Sequence, residues 1–253
     1  MIISDDQMQQ MRQRTETVYV HTAAQRLGQF FPRHARAMHP DALTALVGAG
    51  IGRARQHRLH TERGIQTYLS LMVYLGSGFD RDPQYPWAAA VLDDPSDTDE
   101  TSRIDEIIRC TGLFLAKVAG PDREHVSAAL KRLSTGGEVW FTQLERPVNG
   151  VSLRRLLNAI YPEKVAYLTN DRLTEVMTLA LNAARRHGLD GPEPVALFAG
   201  LFLLLGSFAD EDPQFGWIPQ ALAPRDTDDS PNERFDRLLD VAFGRLRAWL
   251  QAS

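Results

Sequence analysis

The stretch GSGFDRDPQYPW at residues 76–87 returns 130 residues later as GSFADEDPQFGW at 206–217. Seven of the twelve positions are identical, and Tyr85 faces Phe215. The match continues without a gap on either side. Phe31-Pro32 faces Tyr161-Pro162, Asp41 and Leu43 face Asp171 and Leu173, and Arg55, His57 and Leu59 face Arg185, His187 and Leu189. A repeat of this kind constrains the fold strongly, because both copies must satisfy similar local structure. Two copies at so long an offset do not make a solenoid, which needs more repeats of shorter period. The expected architecture is two similar helical halves from an internal duplication: residues 1–133, a connector at 134–150 rich in glycine and polar residues, and residues 151–253.

Helical periodicity runs through nearly the whole chain, so the predicted fold class is all-α. Met8, Met11, Thr15, Val18, Ala23, Leu27 and Phe30 lie near one stripe. Asp41, after Pro40, is the expected cap of a helix carrying Leu43, Leu46, Val47, Ile51 and Ala54. Ile65 to Leu75 and Ile104 to Val118 form further helices, and the second copy repeats the pattern. Val195 to Leu205 is apolar on all sides, which predicts a buried central helix. Period-two alternation is nearly absent. Only EVWFTQ at 138–143 reads as a short strand, or equally as a helix start after Gly136-Gly137.

In each copy of the repeated turn, a glycine (Gly76, Gly206) ends an apolar helix, and Asp-x-Asp-Pro then redirects the chain. Asp82 and Asp212 precede proline and are biased out of the helical region. Each is expected to cap the next segment, with Pro83 or Pro213 at its first position. Trp87 and Trp217 are expected in the core. The structural turn set is therefore Asp80, Asp82, Pro83, Trp87, Asp210, Asp212, Pro213 and Trp217. The alternative, a cation held by the paired aspartates, has too few oxygen ligands, and the D-x-D spacing lacks the glycine and distal glutamate of a calcium loop.

His57 and His187 recur at matching positions without a neighbouring ligand set, and are read as helix-end residues. Cys110, the only cysteine, is read as a small buried residue of an amphipathic helix. No phosphate-loop, dinucleotide, nucleophile-elbow or zincin motif is present, so neither an enzyme nor a cofactor is expected. The start, MIISDDQMQQMRQR, lacks the apolar stretch of a signal peptide. The longest apolar run is shorter than the roughly 20 residues that a membrane-spanning helix requires. These features predict a cytoplasmic protein. A net charge of −4 argues against nucleic acid as a partner. Charge is unevenly spread. Arginines gather at 33, 36, 53, 55, 58 and 63, and acids at Asp93, Asp94, Asp97, Asp99, Glu100, Asp105 and Glu106. That acidic run reads either as a solvated loop leading into a helix or as a docking surface for a basic partner. Its counterpart, with Asp226, Asp228, Asp229, Glu233 and Asp236, is diluted by arginines.

The segments LGQFFP, IGRARQHRLHTERGIQTYLSLMVYLG and FDRDPQYPWAAAVL, in this order, resemble a group of helical proteins encoded beside type VI secretion effectors in Gram-negative bacteria. The resemblance covers residues 1 to about 95 and, more faintly, the second copy, which has Ala209 for Phe79 and Gly216 for Pro86. It implies an immunity protein that neutralises a co-encoded toxin, or an adaptor or chaperone that loads an effector. A metal-dependent enzyme using the D-x-D-P turns is the less favoured alternative. The partner implied is a secreted effector or toxin, such as a nuclease, whose phosphate-binding groove must be basic.

Overall fold

The computed structural model describes residues 5–142, 149–225 and 229–252, and all regular structure among them is helical. In chain order the helices are α1 (Asp5–Phe30), α2 (Pro32–Ala37), α3 (Pro40–Gln56), α4 (Glu62–Leu75), α5 (Pro86–Leu92), α6 (Glu100–Val118), α7 (Glu124–Thr142), α8 (Gly150–Ile160), α9 (Pro162–Tyr167), α10 (Asn170–Arg186), α11 (Pro192–Leu205), α12 (Trp217–Leu222) and α13 (Pro231–Ala252). Single 3-10 turns lie at Phe79–Arg81, Pro121–Arg123 and Pro213–Phe215. The bounds of α2, α3 and α4 recur to the residue, 130 positions later, in α9, α10 and α11.

Local chemistry accounts for many of the boundaries. Pro32, Pro162, Pro86 and Pro192 open their helices, where proline's fixed φ fits and its missing N–H costs nothing. Thr61 caps α4 by accepting from Gly64 N, and Thr169 caps α10 by accepting from Arg172 N. Asp99 caps α6 by accepting from Thr101 N and Ser102 N. At α3 the cap is His39, not Asp41: the His39 ring accepts from the Asp41 amide, and Asp41 sits in the first turn.

The apolar run 195–205 forms the centre of the core. From Ala196 to Leu203 every residue of α11 is buried, and α7, α8 and α10 pack around it. Elements from the two halves of the chain also interlock, α3 against the turn at 213–215 and α6 against α9. The expected connector at 134–150 does not begin where predicted. Helix α7 runs to Thr142 and packs on α13, α11 and α8, so residues 134–142 are helix, and EVWFT lies inside it as neither strand nor helix start. Gly136-Gly137 does not break the helix because tertiary packing outweighs a propensity cost of about 1 kcal/mol per glycine. Residues 143–148 lie outside the described residues.

Three other expectations differ from the structure. Trp217 is buried, but Trp87 is only half-buried, its ring lying beside Tyr85 and Phe114. Cys110 is half-buried, with its thiol directed to Glu106. The stripe on α1 is used only in part: Ala23, Ala24 and Leu27 are buried, whereas Met8, Met11, Val18 and Phe30 are exposed.

Gly76 and Gly206 end α4 and α11 with φ of 97° and 104°. They also face each other across the molecule. A Cβ on Gly206 would lie 2.9 Å from the Leu75 carbonyl oxygen, and one on Gly76 would lie 2.8 Å from that of Leu205. Both the positive φ and the backbone contact exclude a side chain. Gly206→Ala is therefore expected to lower unfolding free energy by at least about 2 kcal/mol, combining φ strain with steric displacement. Gly112→Ala, at an unobstructed helical position, is the control and should be neutral or stabilising in the same denaturant titration.

Candidate functional site

The two copies of the repeated turn are brought face to face, and each binds the other. Ser207 N donates to Asp82 Oδ2 at 2.7 Å, and Ser77 N donates to Asp212 Oδ2 at 2.6 Å. Ser207 Oγ adds a second hydrogen bond to Asp82 Oδ1, at 2.7 Å. Gln84 Nε2 donates to the Phe202 carbonyl at 2.9 Å, and Gln214 Nε2 donates to the Met72 carbonyl at 2.8 Å. Met72 and Phe202 are themselves 130 positions apart. Exchanging each residue for its counterpart thus maps the backbone bonds of this clasp onto one another.

Within its own turn, Asp82 also accepts from Gln84 N, and Asp212 from Gln214 N. Asp212 caps the 3-10 turn that Pro213 opens, as expected. Asp82 and Pro83 differ. Pro83 starts no helix, and Asp82 braces a turn closed by Tyr85 N donating to the Asp82 carbonyl. The first position of α5 belongs to Pro86. Burial pushes the Asp82 and Asp212 carboxyls above their usual range, against the Ser and Gln donors that favour the ionised form. The seam between the turns holds no space for a water molecule. Lys164 of α9 is buried nearby; its Nζ donates to the Leu203 carbonyl at 2.7 Å, and burial lowers it to about 8 while Asp82 opposes that shift.

The other aspartate of each turn has a different role. Asp80 is buried and accepts from Tyr68 Oη at 2.6 Å, from His57 Nε2 at 3.2 Å and from Arg53 Nη1 at 3.5 Å. His57 caps the C-terminus of α3, and its other ring nitrogen meets Asp93 Oδ1 at 2.7 Å. A carboxylate only accepts, so an imidazole between two carboxylates is satisfied as the doubly protonated cation. The Asp80 hydrogen bond raises the His57 pKa most; burial opposes it and Asp93 adds to it. For Asp80, burial acts upward but is outweighed by His57, Tyr68 and Arg53, which hold it below the usual carboxylate value.

In the second half, His187 Nε2 meets Asp210 Oδ2 at 3.2 Å, and Arg186 joins at 2.8 Å. Phe198 stands at the place of Tyr68 and stacks on the His187 ring. Ala183 stands at the place of Arg53, and Asp210 Oδ1 is accordingly buried without a donor.

The acidic run is tied back to the scaffold residue by residue. Asp93 holds His57. Asp94 accepts from Ser96 N and Oγ, Asp97 accepts from Asp99 N, and Asp99 caps α6. Glu100 accepts from His60 N, Thr61 N and Thr61 Oγ1, closing the start of α4. Asp105 pairs with Arg63, and Arg109 holds the Glu106 carboxyl down to about 2. Buried Arg103 fixes the loop from inside, donating to the carbonyls of Asp97 and Arg58. The carboxylates still reach solvent, with the side chains of Asp93 and Asp105 each 62% exposed. In the counterpart segment Asp229 is gripped by Arg237, and Asp226 and Asp228 lie outside the described residues.

Of the eight turn residues expected from the sequence, Asp82 and Asp212 meet the opposite turn across the seam, while Asp80 and Asp210 hold the histidines at the ends of α3 and α10. Of the seven acids, Asp93 is joined to the first turn through His57. Sequence reasoning missed Ser77, Ser207, Gln84, Gln214, Lys164 and the histidine–aspartate pairs. The signal was present for most of them, since Ser, Gln and His recur at the same offset as the aspartates. Among the described residues, no three His, Cys, Asp or Glu side chains are arranged to hold a metal ion, and no helix is long and apolar enough to cross a membrane. Comparison with protein-family models, curated proteins and solved structures finds no match.

The His57 geometry predicts a pH signature. The unfolded imidazole titrates near 6.5. With a raised folded value, the stabilisation is fully present below that pH and is lost as pH rises through the folded pKa. In a titration followed by imidazole NMR shifts, His57 should titrate above 6.5, and Asp93→Asn should move its midpoint down. A midpoint unchanged by Asp93→Asn would show that the pair does not form in solution.

Proposed function

We propose that this chain is a duplicated helical protein that acts by binding another protein, as an immunity protein that neutralises a co-encoded type VI secretion toxin. The duplication is supported by the ungapped sequence match, by the coincident bounds of α2–α4 and α9–α11, and by the reciprocal bonds of the seam. The observation that carries the binding role is the acidic flank, Asp93 to Glu106, held in a fixed shape by caps and by Arg103 while its carboxylates face solvent. A preorganised acidic surface suits a basic groove, because little ordering entropy is lost on docking and complementary charge speeds encounter. The four arginines that neighbour the flank, at 58, 63, 103 and 109, temper its field, so steering rather than bulk attraction is the expected contribution.

The aspartates of the D-x-D-P turns support the binding reading over a metal-dependent enzyme in a specific way. Asp82 and Asp212 direct their oxygens at protein donors across the seam, and Asp80 is engaged by His57, Tyr68 and Arg53. An adaptor that loads an effector would use the same surface. Rescue from toxicity separates the two roles, since an adaptor does not protect a cell from its cargo.

The test is co-expression with the product of the neighbouring gene, together with binding kinetics at two salt concentrations. Protection by the wild type is expected. Asp97→Asn with Asp105→Asn and Glu106→Gln should slow association by roughly threefold to tenfold and flatten its salt dependence, with dissociation little changed. Asp93, Asp99 and Glu100 are spared because they hold His57, α6 and α4. Unchanged rate and salt slope would place the interface elsewhere, and absence of protection with intact binding would favour the adaptor role.

A further inference from the structure

His57 bridges two carboxylates. Its side chain is 14% exposed, with Asp80 at 3.2 Å from Nε2 and Asp93 at 2.7 Å from Nδ1. At the position 130 residues on from Asp93 stands Ala223, which has no carboxylate to offer His187. Four elements face the His57 ring. The 3-10 turn at 79–81 supplies Asp80, and the end of α5 supplies Asp93. Helix α4 supplies the Tyr68 ring, its centroid 5.9 Å away, and α3 supplies Arg53, whose guanidinium shares Asp80. Arg58, the next residue, places its guanidinium on the Asp94 carbonyl at 2.9 Å.

The bridge needs both ring protons. Each carboxylate only accepts, so each contact uses one imidazole N–H, and the neutral ring has one N–H and one lone pair. Loss of a proton therefore sets a lone pair against one of the two carboxylates. Burial decides which one. The Asp80 side chain is 8% exposed and that of Asp93 is 62% exposed. A buried carboxylate stripped of a donor stays unsatisfied, whereas an exposed one is rehydrated at little cost. The arrangement that keeps Asp80 satisfied has the remaining proton on Nε2 and lets Asp93 go.

Asp93 is the first residue of the segment that joins α5 to α6. Arg58 holds the Asp94 carbonyl, and buried Arg103 holds that of Asp97. The Asp94 and Asp97 carboxylates accept from Ser96 and Asp99 within the segment, and Asp99 caps α6. Without His57, residues 93–96 are tethered by Arg58, an exposed side chain, whereas Arg103 and the α6 cap still fix residues 97–100.

We propose that His57 is a proton-operated latch on the acidic segment: the cation holds Asp93 and the head of the segment, and the neutral ring releases them. The latch is closed at acidic pH and opens as pH rises through the folded midpoint of the ring, which Asp80 and Asp93 lift above 6.5. One consequence rests on the reading of this flank as the docking surface: association with a basic partner slows once the head of the segment is free, because preorganisation is lost.

The test is NMR of the full chain alone, from mildly acidic to mildly alkaline buffer. It follows the ring nitrogens of His57 and, by carbon detection, the backbone order of residues 93–100. Residues 93–96 should lose order with the midpoint of the His57 ring, and residues 97–100 should keep it. The neutral ring should carry its proton on Nε2. Asp93→Asn is the discriminating variant. Its carboxamide oxygen can accept from the cation and its NH₂ can donate to the neutral ring, so residues 93–96 should stay ordered on both sides of the midpoint. A segment unmoved by pH in the wild type overturns the proposal. So does a neutral ring protonated on Nδ1, a midpoint that belongs to another group such as Lys164, or a variant that loses order as the wild type does. None of these outcomes bears on the effector reading, which toxicity rescue decides.

Discussion

A buried carboxylate that reaches from one half of the chain to an amide on the other is the constraint on which the rest of this structure depends. Asp82 and Ser207, with Asp212 and Ser77, span sequence separations of 125 and 135 residues. Hydrogen bonds to charged acceptors contribute about 1.5–3 kcal/mol each, and leaving a buried donor unsatisfied costs about 1–3 kcal/mol. The two glutamine carboxamides extend the clasp to carbonyls of the opposing helices, α4 and α11. For these groups to meet, two backbones must touch at Gly76 and Gly206, which is why no side chain is tolerated there. The seam holds no space for a water molecule, so removing one partner while the turns stay together leaves the other buried and unsatisfied.

From this seam the order extends outward. Asp80, two residues before Asp82, anchors His57 at the end of α3, and His57 holds Asp93 at the end of α5. Asp93 opens the acidic segment that Arg103 and the cap of α6 then shape. A chain of contacts therefore links the joint between the halves to the surface on which the binding proposal rests. The second half has only part of it: His187 and Asp210 are paired, but Tyr68 and Arg53 give way to Phe198 and Ala183. The halves share a joint and differ in what they present.

The all-helical class was legible because helical periodicity spans most of the chain, and the central burial of α11 followed from a run with no polar side. The seven identities of the repeated turn were also legible as architecture. Their mechanism was not, because a local reading assigns Asp82 and Asp212 to their own turns. Only three-dimensional proximity shows that each aspartate serves the other copy as well. The acidic run reads from the sequence as a solvated loop leading into a helix or as a docking surface. Asp99 caps α6 as a short polar side chain at a helix start does, whereas the ties of Glu100 to the start of α4 and of Asp93 to His57 depend on tertiary contacts that no local reading shows. The connector was misplaced because Gly136-Gly137 suggests a break that packing of α7 against α11 and α13 overrides. Trp87 was overestimated as a core residue because its position in the repeat says where the chain turns, not how deeply the ring sits.

The central claim is that the two halves are joined by these reciprocal bonds into one cooperative unit. Native-state hydrogen exchange at the Ser77 and Ser207 amides tests it most directly, because those two N–H groups are the donors of the clasp. Both should exchange only through global unfolding, with the same protection free energy and denaturant dependence as amides in the middle of α11. Exchange of either amide through a low-energy local opening, while α11 stays protected, would contradict the account and show that the halves are held together by other contacts.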